Sequence, residues 1–284
     1  MRSEEEIYRL ILSVAKKDDR IRAVVLNGSR ANDKIKKDSF QDFDILFLVN
    51  ELESFNCNPN WIDVFGERII FQTPNSMKLY NHDVNLDKEE ICYLMLFKDY
   101  NRIDLTILKI EHKYNKKDSL TKILLDKDNI FETIPIPNDK DYWVKQPTQK
   151  QFDDCCNEFW WVSTYVVKGI RRNELIYASD IFETVVRKMF MRLIAWNVAA
   201  ENKFEINLGA SNRFIHNYLD SNMMSQIENT YSSLDKTEMW NCLVSMTEIF
   251  ERESNELTKK LGLNFNIYEA KNVKEYILRM KDEN

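Results

Sequence analysis

The chain has 284 residues, of which 44% are hydrophobic, 30% charged and 12% aromatic, with only five Gly and five Pro. At roughly 150 residues per domain this length suggests two domains, and the composition excludes collagenous, low-complexity and disordered chains. Lys and Arg number 40 against 46 Asp and Glu, a net charge of −6, the opposite of the basic surplus that drives general nucleic-acid binding; a cationic small molecule fits such a chain better.

No stretch approaches the roughly 20 apolar residues of a membrane span. The N-terminus, Met1-Arg-Ser-Glu-Glu-Glu6, opens with acids and lacks the apolar core of a signal peptide. The five Cys show no metal spacing, and Cys155 and Cys156 are adjacent inside an apparent helix, so reduced packing thiols are expected. His82, His112 and His216 offer neither a zinc motif nor an evident triad. The expectation is a cytoplasmic protein, a monomer or weak dimer, with neither membrane nor nucleic acid among its partners.

In chain order, residues 3–17 carry Ile7, Leu10, Ile11 and Val14 at helical spacing behind Ser3, a good N-cap. Ile21–Leu26 reads as a strand that stops at the turn signal Asn27-Gly28-Ser29. A polar loop, 33–41, leads into a second strand, Phe43–Val49, apolar on both faces. Further strands are predicted at Arg68–Gln72, Ile91–Phe97 and Ile103–Leu108, the last two joined as a hairpin through Lys98-Asp-Tyr-Asn101. Around Ile134-Pro-Ile-Pro137 the pattern changes, and long helices follow at about 148–172, 174–201, 221–232, 236–261 and 269–281. The fold class is therefore α+β: a mixed-sheet domain with helices over 1–140, then an α-helical bundle over 141–284.

The chemistry-bearing segment runs from Leu26 to Ile45. Gly28 at a strand end lets the backbone approach a bulky anion, and Ser29 offers an amide and a hydroxyl at the start of a turn, where N–H groups point at phosphate. Asp42 and Asp44, two apart on a strand, place their carboxylates on one face. Burying such a pair is costly unless a divalent cation neutralises it, and hard oxygen ligands suit Mg²⁺. Asp104 is the one charged residue in the otherwise core-like run Ile103–Leu108. If its strand lies beside that of Asp42 and Asp44, three carboxylates meet next to a phosphate turn, the kit for metal-assisted nucleotidyl transfer. Taken singly, a Gly-Ser after a strand is usually only a turn and an Asp-x-Asp usually solvated or capping; the conjunction with Asp104 carries the functional reading.

Gly-Ser-Arg, Asp-x-Asp and a later strand Asp together resemble the polymerase-β-like nucleotidyltransferase superfamily. The likeness extends through Asn27-Gly-Ser-Arg-Ala-Asn32, Phe40-Gln-Asp-Phe-Asp44, Leu124-Leu-Asp-Lys-Asp128, Phe152-Asp-Asp-Cys-Cys-Asn-Glu-Phe-Trp160 and Val166-Val-Lys-Gly169. These strings resemble the aminoglycoside 6-adenylyltransferases, the streptomycin-resistance enzymes. The resemblance implies transfer of AMP from ATP, with Mg²⁺, to the 6-hydroxyl of streptomycin, releasing pyrophosphate. Three departures stand out: Asn27 where these enzymes commonly place Glu, Ala210 where they tend to carry a cation, with Arg213 as a possible substitute, and a tail after Gly262 that matches poorly.

In the helical half, Asp154, Glu158, Trp161, Tyr165 and Lys168 recur at the spacing of one helix face. A solvated face is the ordinary explanation. The aromatics on it favour a cleft wall, with acids for substrate cations, rings for stacking and Lys168 for ATP phosphates. Asp180, on a face with Glu183 and Arg187, is a weaker substrate candidate, equally an interhelical charge cluster. Trp160, adjacent to Trp161, is assigned to the core. In this scheme Asp42 and Asp44 hold Mg²⁺, Gly28 and Ser29 cradle phosphates, and Arg30 pairs with phosphate or with Asp42. Asp104 is either the third metal ligand or the general base, and Glu158 is the other candidate base. The helical domain is expected to complete the active-site cleft. Rival readings are a nucleotidyltransferase acting on another small molecule or on a protein side chain, and a catalytically silent nucleotide-binding protein of the same fold.

Overall fold

The computed structural model describes residues 1–33, 35–79, 90–112, 118–131 and 136–283; His82 and the first half of the predicted boundary segment lie outside them. The chain divides into two compact units, Met1–Asp141 and Tyr142–Asn284.

The first unit is built on six strands: β1 (Ile21–Asn27), β2 (Phe43–Val49), β3 (Arg68–Gln72), β4 (Glu90–Phe97), β5 (Arg102–Lys109) and β6 (Thr121–Asp126), in the order β3-β4-β5-β2-β1-β6. Only β2 and β5 pair in parallel; every other pairing is antiparallel, including the predicted β4–β5 hairpin. The central strand β2 is apolar on both faces because both are covered. Phe43, Ile45, Phe47 and Val49 face the larger core with helix α1 (Glu4–Lys17), whereas Leu46 and Leu48 join Ala23, Val25 and Leu108 in a smaller one. Ser3 and Glu6 close a reciprocal capping box at the start of α1, which lays Ile7, Ile11 and Ala15 on the sheet. A short helix α2 (Glu53–Cys57) follows β2.

Strand β6 is the element that periodicity does not reveal. It is a sheet edge with one neighbour, and its Thr121-Lys-Ile-Leu-Leu-Asp126 stretch is only partly buried, with neither a continuous apolar run nor clean alternation.

The second unit is helical: α3 (Gln149–Arg171), α4 (Leu175–Ile181), α5 (Arg187–Glu201), α6 (Ser221–Glu228), α7 (Lys236–Leu261) and α8 (Ile267–Asp282). The helix predicted over 174–201 is interrupted by a π turn at Phe182–Val186, where one extra residue per turn leaves the apolar pattern nearly intact. Just beyond it, the buried guanidinium of Arg187 donates to Glu183, to Thr230 Oγ1 at 2.7 Å and to the Thr230 carbonyl at 2.8 Å, and lies 3.6 Å from the Tyr231 ring centroid. That attachment explains why α6 stops at Glu228 rather than at the expected 232: the chain turns to present Thr230 to Arg187.

Helix α3 is fixed on two sides. Gly169 lets α4 approach so closely that a Cβ there would stand 2.8 Å from that of Ala178. Phe159 stacks on Phe250 of α7 with ring centroids 3.6 Å apart, and Trp160, fully buried as expected, meets the same ring edge-on at 5.6 Å. Phe250→Ala should therefore lower the stability of the helical unit by about 3–5 kcal/mol, read from the urea midpoint.

Candidate active site

The polar end of the sheet is assembled by register. Strand β1 ends at Asn27, opposite Asp44 of β2; Asp44 in turn stands opposite Asp104 of β5, and Asn27 opposite Thr121 of β6. Partners across a ladder share a face, so Thr121, Asn27, Asp44 and Asp104 form a row across four strands. Thr121 Oγ1 donates to Asn27 Oδ1 at 2.9 Å. Asp42 precedes β2 by one residue and lies in line with Arg102, which starts β5.

Gly28 follows Asn27 with φ +70°, and a Cβ in its place would overlap the Asp44 carboxylate, so only glycine allows this turn beside that acid. The Gly28 amide donates to the Leu120 carbonyl at 3.1 Å, and Gly28–Ala31 form a short 3₁₀ turn that carries Ser29.

Arg30 makes contacts that the sequence reading did not foresee. Its buried guanidinium donates to the backbone carbonyls of Asp42 at 3.0 Å and Gln41 at 2.7 Å, and lies 3.7 Å from the Phe43 ring centroid. The residue read as a phosphate ligand thus holds the segment that presents Asp42. Sequence reasoning missed Arg102. Its Nε and Nη2 each donate to an oxygen of Asp104 at 2.7 Å, and Nη1 stands 3.6 Å from Asp42 Oδ2. Those hydrogen bonds to Asp104 hold the guanidinium charged beyond its ordinary range; partial burial opposes this, and the charges of Asp104, Asp42 and Asp44 reinforce it. The signal was present in Arg102-Ile-Asp104, since residues two apart on a strand share a face.

Among the described residues no group of three His, Cys, Asp or Glu is arranged to hold a metal as it stands. The donor set nonetheless suits a hard divalent cation. It consists of carboxylate oxygens around a guanidinium that stands in for the positive charge, beside a glycine cradle. Next to Asp42, both polar atoms of the Gln41 amide are buried without a hydrogen-bond partner, as in a site whose ligand supplies them.

The second unit carries its own concavity, a groove of about 740 Å³ against α3, lined by Lys145, Asp154, Glu158, Met189, Arg192 and Trp196 among others. Asp154 is paired with Lys150 one turn earlier, while Glu158 makes no ion pair among the described residues. Trp161, Tyr165, Lys168 and Asp180 do not line this groove. Trp161 Nε1 donates to the Tyr165 hydroxyl at 2.7 Å, and Lys168 Nζ sits 5.2 Å from the Tyr165 ring centroid, so these three interact with one another further along α3. Asp180 is exposed on α4, and the charge pair expected near it forms between Glu183 and Arg187 alone. The opposite wall, Met189, Arg192 and Trp196, was not anticipated because a face analysis treats each helix singly. Arg213, the possible replacement for the missing cation, lies over the ring of its neighbour Phe214 at 4.7 Å.

A sheet that gathers a Gly-Ser turn and strand-borne carboxylates at one end, followed by a helical unit, defines a nucleotidyltransferase. The chain belongs to the streptomycin adenylyltransferase family, whose model matches residues 1–280. It is 41% identical over 283 residues to an aminoglycoside 6-adenylyltransferase of Campylobacter jejuni, spanning 99% of this chain and 96% of that one. Identity to the corresponding enzyme of Bacillus subtilis (strain 168) is 39% over 272 residues, 95% of each chain, and to that of Staphylococcus aureus 35% over 280 residues, 98% of each. A crystal structure of an aminoglycoside 6-adenyltransferase from Bacillus subtilis matches over 100% of both chains, with TM-score 0.50 and 34% identity. No helix among the described residues is long and apolar enough to cross a membrane.

Cys155 also lines the groove, but burial pushes its thiol up to about 12 and burial raises Cys156 as well, so neither is a nucleophile at neutral pH. In the folded protein at pH 8, exposed Cys57 should react with a disulfide reagent such as DTNB within seconds, and Cys155 only on unfolding; a Cys57→Ser variant without a fast thiol phase confirms the assignment.

Proposed function

We propose that the chain transfers AMP from ATP to a hydroxyl of an aminoglycoside, the 6-hydroxyl of streptomycin, with release of pyrophosphate and inactivation of the antibiotic. The observation that carries this reading is the register of Asp44 with Asp104 beside the Gly28-Ser29 turn. Asp42, Asp44 and Asp104 would hold Mg²⁺. When bound, that ion supplies charge neutralisation to the triphosphate and the departing pyrophosphate. The Ser29 hydroxyl and the amides of its turn serve the phosphate oxygens. Arg30, through the carbonyls of Gln41 and Asp42, keeps the Asp42 segment in place.

The α3 groove suits the acceptor. Streptomycin carries two guanidinium groups, which planar carboxylates accept in pairs, and an indole such as Trp196 offers a stacking face. Lys145 and Arg192 oppose a second cation in the same groove, so Glu158, outside any ion pair among the described residues, is the carboxylate offered to the substrate. Proton removal from the attacking hydroxyl falls to Asp104 or Glu158, the two candidate bases.

Pyrophosphate release from ATP and Mg²⁺ across an aminoglycoside panel, with mass spectrometry of the products, tests the substrate. An AMP adduct on streptomycin is expected; an adduct on another antibiotic or on a protein would move the acceptor, and none at all would overturn the reading. Asp44→Asn should cut turnover by at least about 100-fold with an unchanged circular dichroism spectrum, because the lost group acts on the transition-state charge. Glu158→Gln should raise the streptomycin KM by at least about tenfold while leaving ATP affinity intact. A large loss of kcat with KM retained would instead make Glu158 the general base.

A further inference from the structure

Asp42, Asp44 and Asp104 share one face at one end of the sheet, and a guanidinium of the chain itself, that of Arg102, stands among them. Arg102 is two residues before Asp104 on β5, so its side chain leaves the strand on the same face and folds along it. The contact is bidentate: both Asp104 oxygens are taken, at 2.7 Å each, while the third nitrogen reaches to 3.6 Å from Asp42. A divalent cation that uses Asp104 therefore competes with the guanidinium for those oxygens. Removal is mechanically simple, because the Arg102 side chain is 42% exposed and its long stem can turn outward without disturbing a core residue.

Resting on the nucleotidyl-transfer reading above, we propose that Arg102 is a positioning residue that fills the cation position of the carboxylate array in the nucleotide-free protein and passes to the triphosphate when the metal–nucleotide complex enters. The charge balance supports this exchange. A bare divalent ion gains the carboxylates but releases a guanidinium with nowhere to go, whereas a metal bound to a nucleotide brings phosphate oxygens that accept it in the same bidentate way. The divalent ion then binds weakly alone and strongly with nucleotide, a coupling set by one side chain.

Titrating the full-length protein with Mn²⁺ in the absence of nucleotide, by the electron paramagnetic resonance signal of the free ion, tests the proposal. Arg102→Gln should bind Mn²⁺ at least tenfold more tightly than the wild type, and adding Asp104→Asn should abolish the gain. The same Arg102→Gln variant should bind Mn²⁺ with the non-hydrolysable analogue AMPCPP about tenfold more weakly by calorimetry. Arg102→Lys, a point charge that cannot engage both oxygens, should fall between the two in both measurements. It carries the test should Arg102→Gln lose its native near-ultraviolet spectrum, and a Lys variant with wild-type Mn²⁺ affinity then overturns the proposal. Unchanged or weaker Mn²⁺ binding in a folded Arg102→Gln also overturns it, making the pair an ordinary surface contact. The adenylyl-transfer reading fails separately, if the wild type forms no AMP adduct on any acceptor, and that result leaves the Mn²⁺ comparison standing.

Discussion

The parallel pairing of β2 with β5 is the constraint on which the site depends. In a sheet otherwise antiparallel, it puts the starts of these two strands at one end, and β1, antiparallel to β2, brings its own end to the same place. Asp44, Arg102 and Asp104 therefore collect there on strands, with the Gly28 turn and Asp42 at the strand ends beside them. Antiparallel β2 and β5 would leave the acids at opposite ends of the sheet. Strand alternation does the rest: Phe43 and Ile45 bury against the α1 side while Asp44 projects with Leu46 and Leu48 to the other. The acids thus border the smaller core and not the larger one, where burial would cost most.

Charge spacing is the second constraint. Two carboxylates abreast on neighbouring strands destabilise a sheet unless something positive stands near, and the array answers with Arg102 on one flank and a neutral amide, Asn27, on the other. A glutamate at 27 would add another carboxylate directly opposite Asp44. Here Asn27 is tied instead to Thr121 at the edge of the sheet, which makes the missed strand β6 part of the site's support. The same logic explains Gly28. Its missing side chain is the space that the Asp44 carboxylate occupies, so turn and acid cannot be varied independently.

Local chemistry was legible where one segment sufficed. The strand starts, the glycine turn, the Asp104 anomaly in an apolar run and the core position of Trp160 all follow from period and burial within a few residues. What escaped needs a partner that sequence does not name. The bonds from Arg30 to the carbonyls of Gln41 and Asp42 were not foreseen, because those carbonyls approach it only when 41–42 folds back over 30. Trp161 and Tyr165 share the predicted face with Asp154 and Glu158 but bond to each other, and the groove instead gains Met189, Arg192 and Trp196 from α5. The π turn and the short α6 escaped together, since both accommodate the same buried guanidinium, Arg187.

Substrate choice, in the reading proposed, turns on how the α3 groove balances its charges. Lys145 and Arg192 would repel a polycation bound without a partner for each group, and Lys150 already engages Asp154. A small amine, strongly hydrated and content with any single carboxylate, gains little from such a surface. A planar guanidinium is more weakly hydrated, can take both oxygens of Glu158 and can lie on an indole, so it keeps its advantage even where other cations stand near. Because α3 is clamped by the Gly169–Ala178 approach and the Phe159–Phe250 stack, the Asp154–Glu158 spacing is set before any ligand arrives. Selectivity then comes from geometry held in advance as much as from net charge: the overall acidity of the chain attracts cations of every kind, and the fixed carboxylate face favours the planar ones among them.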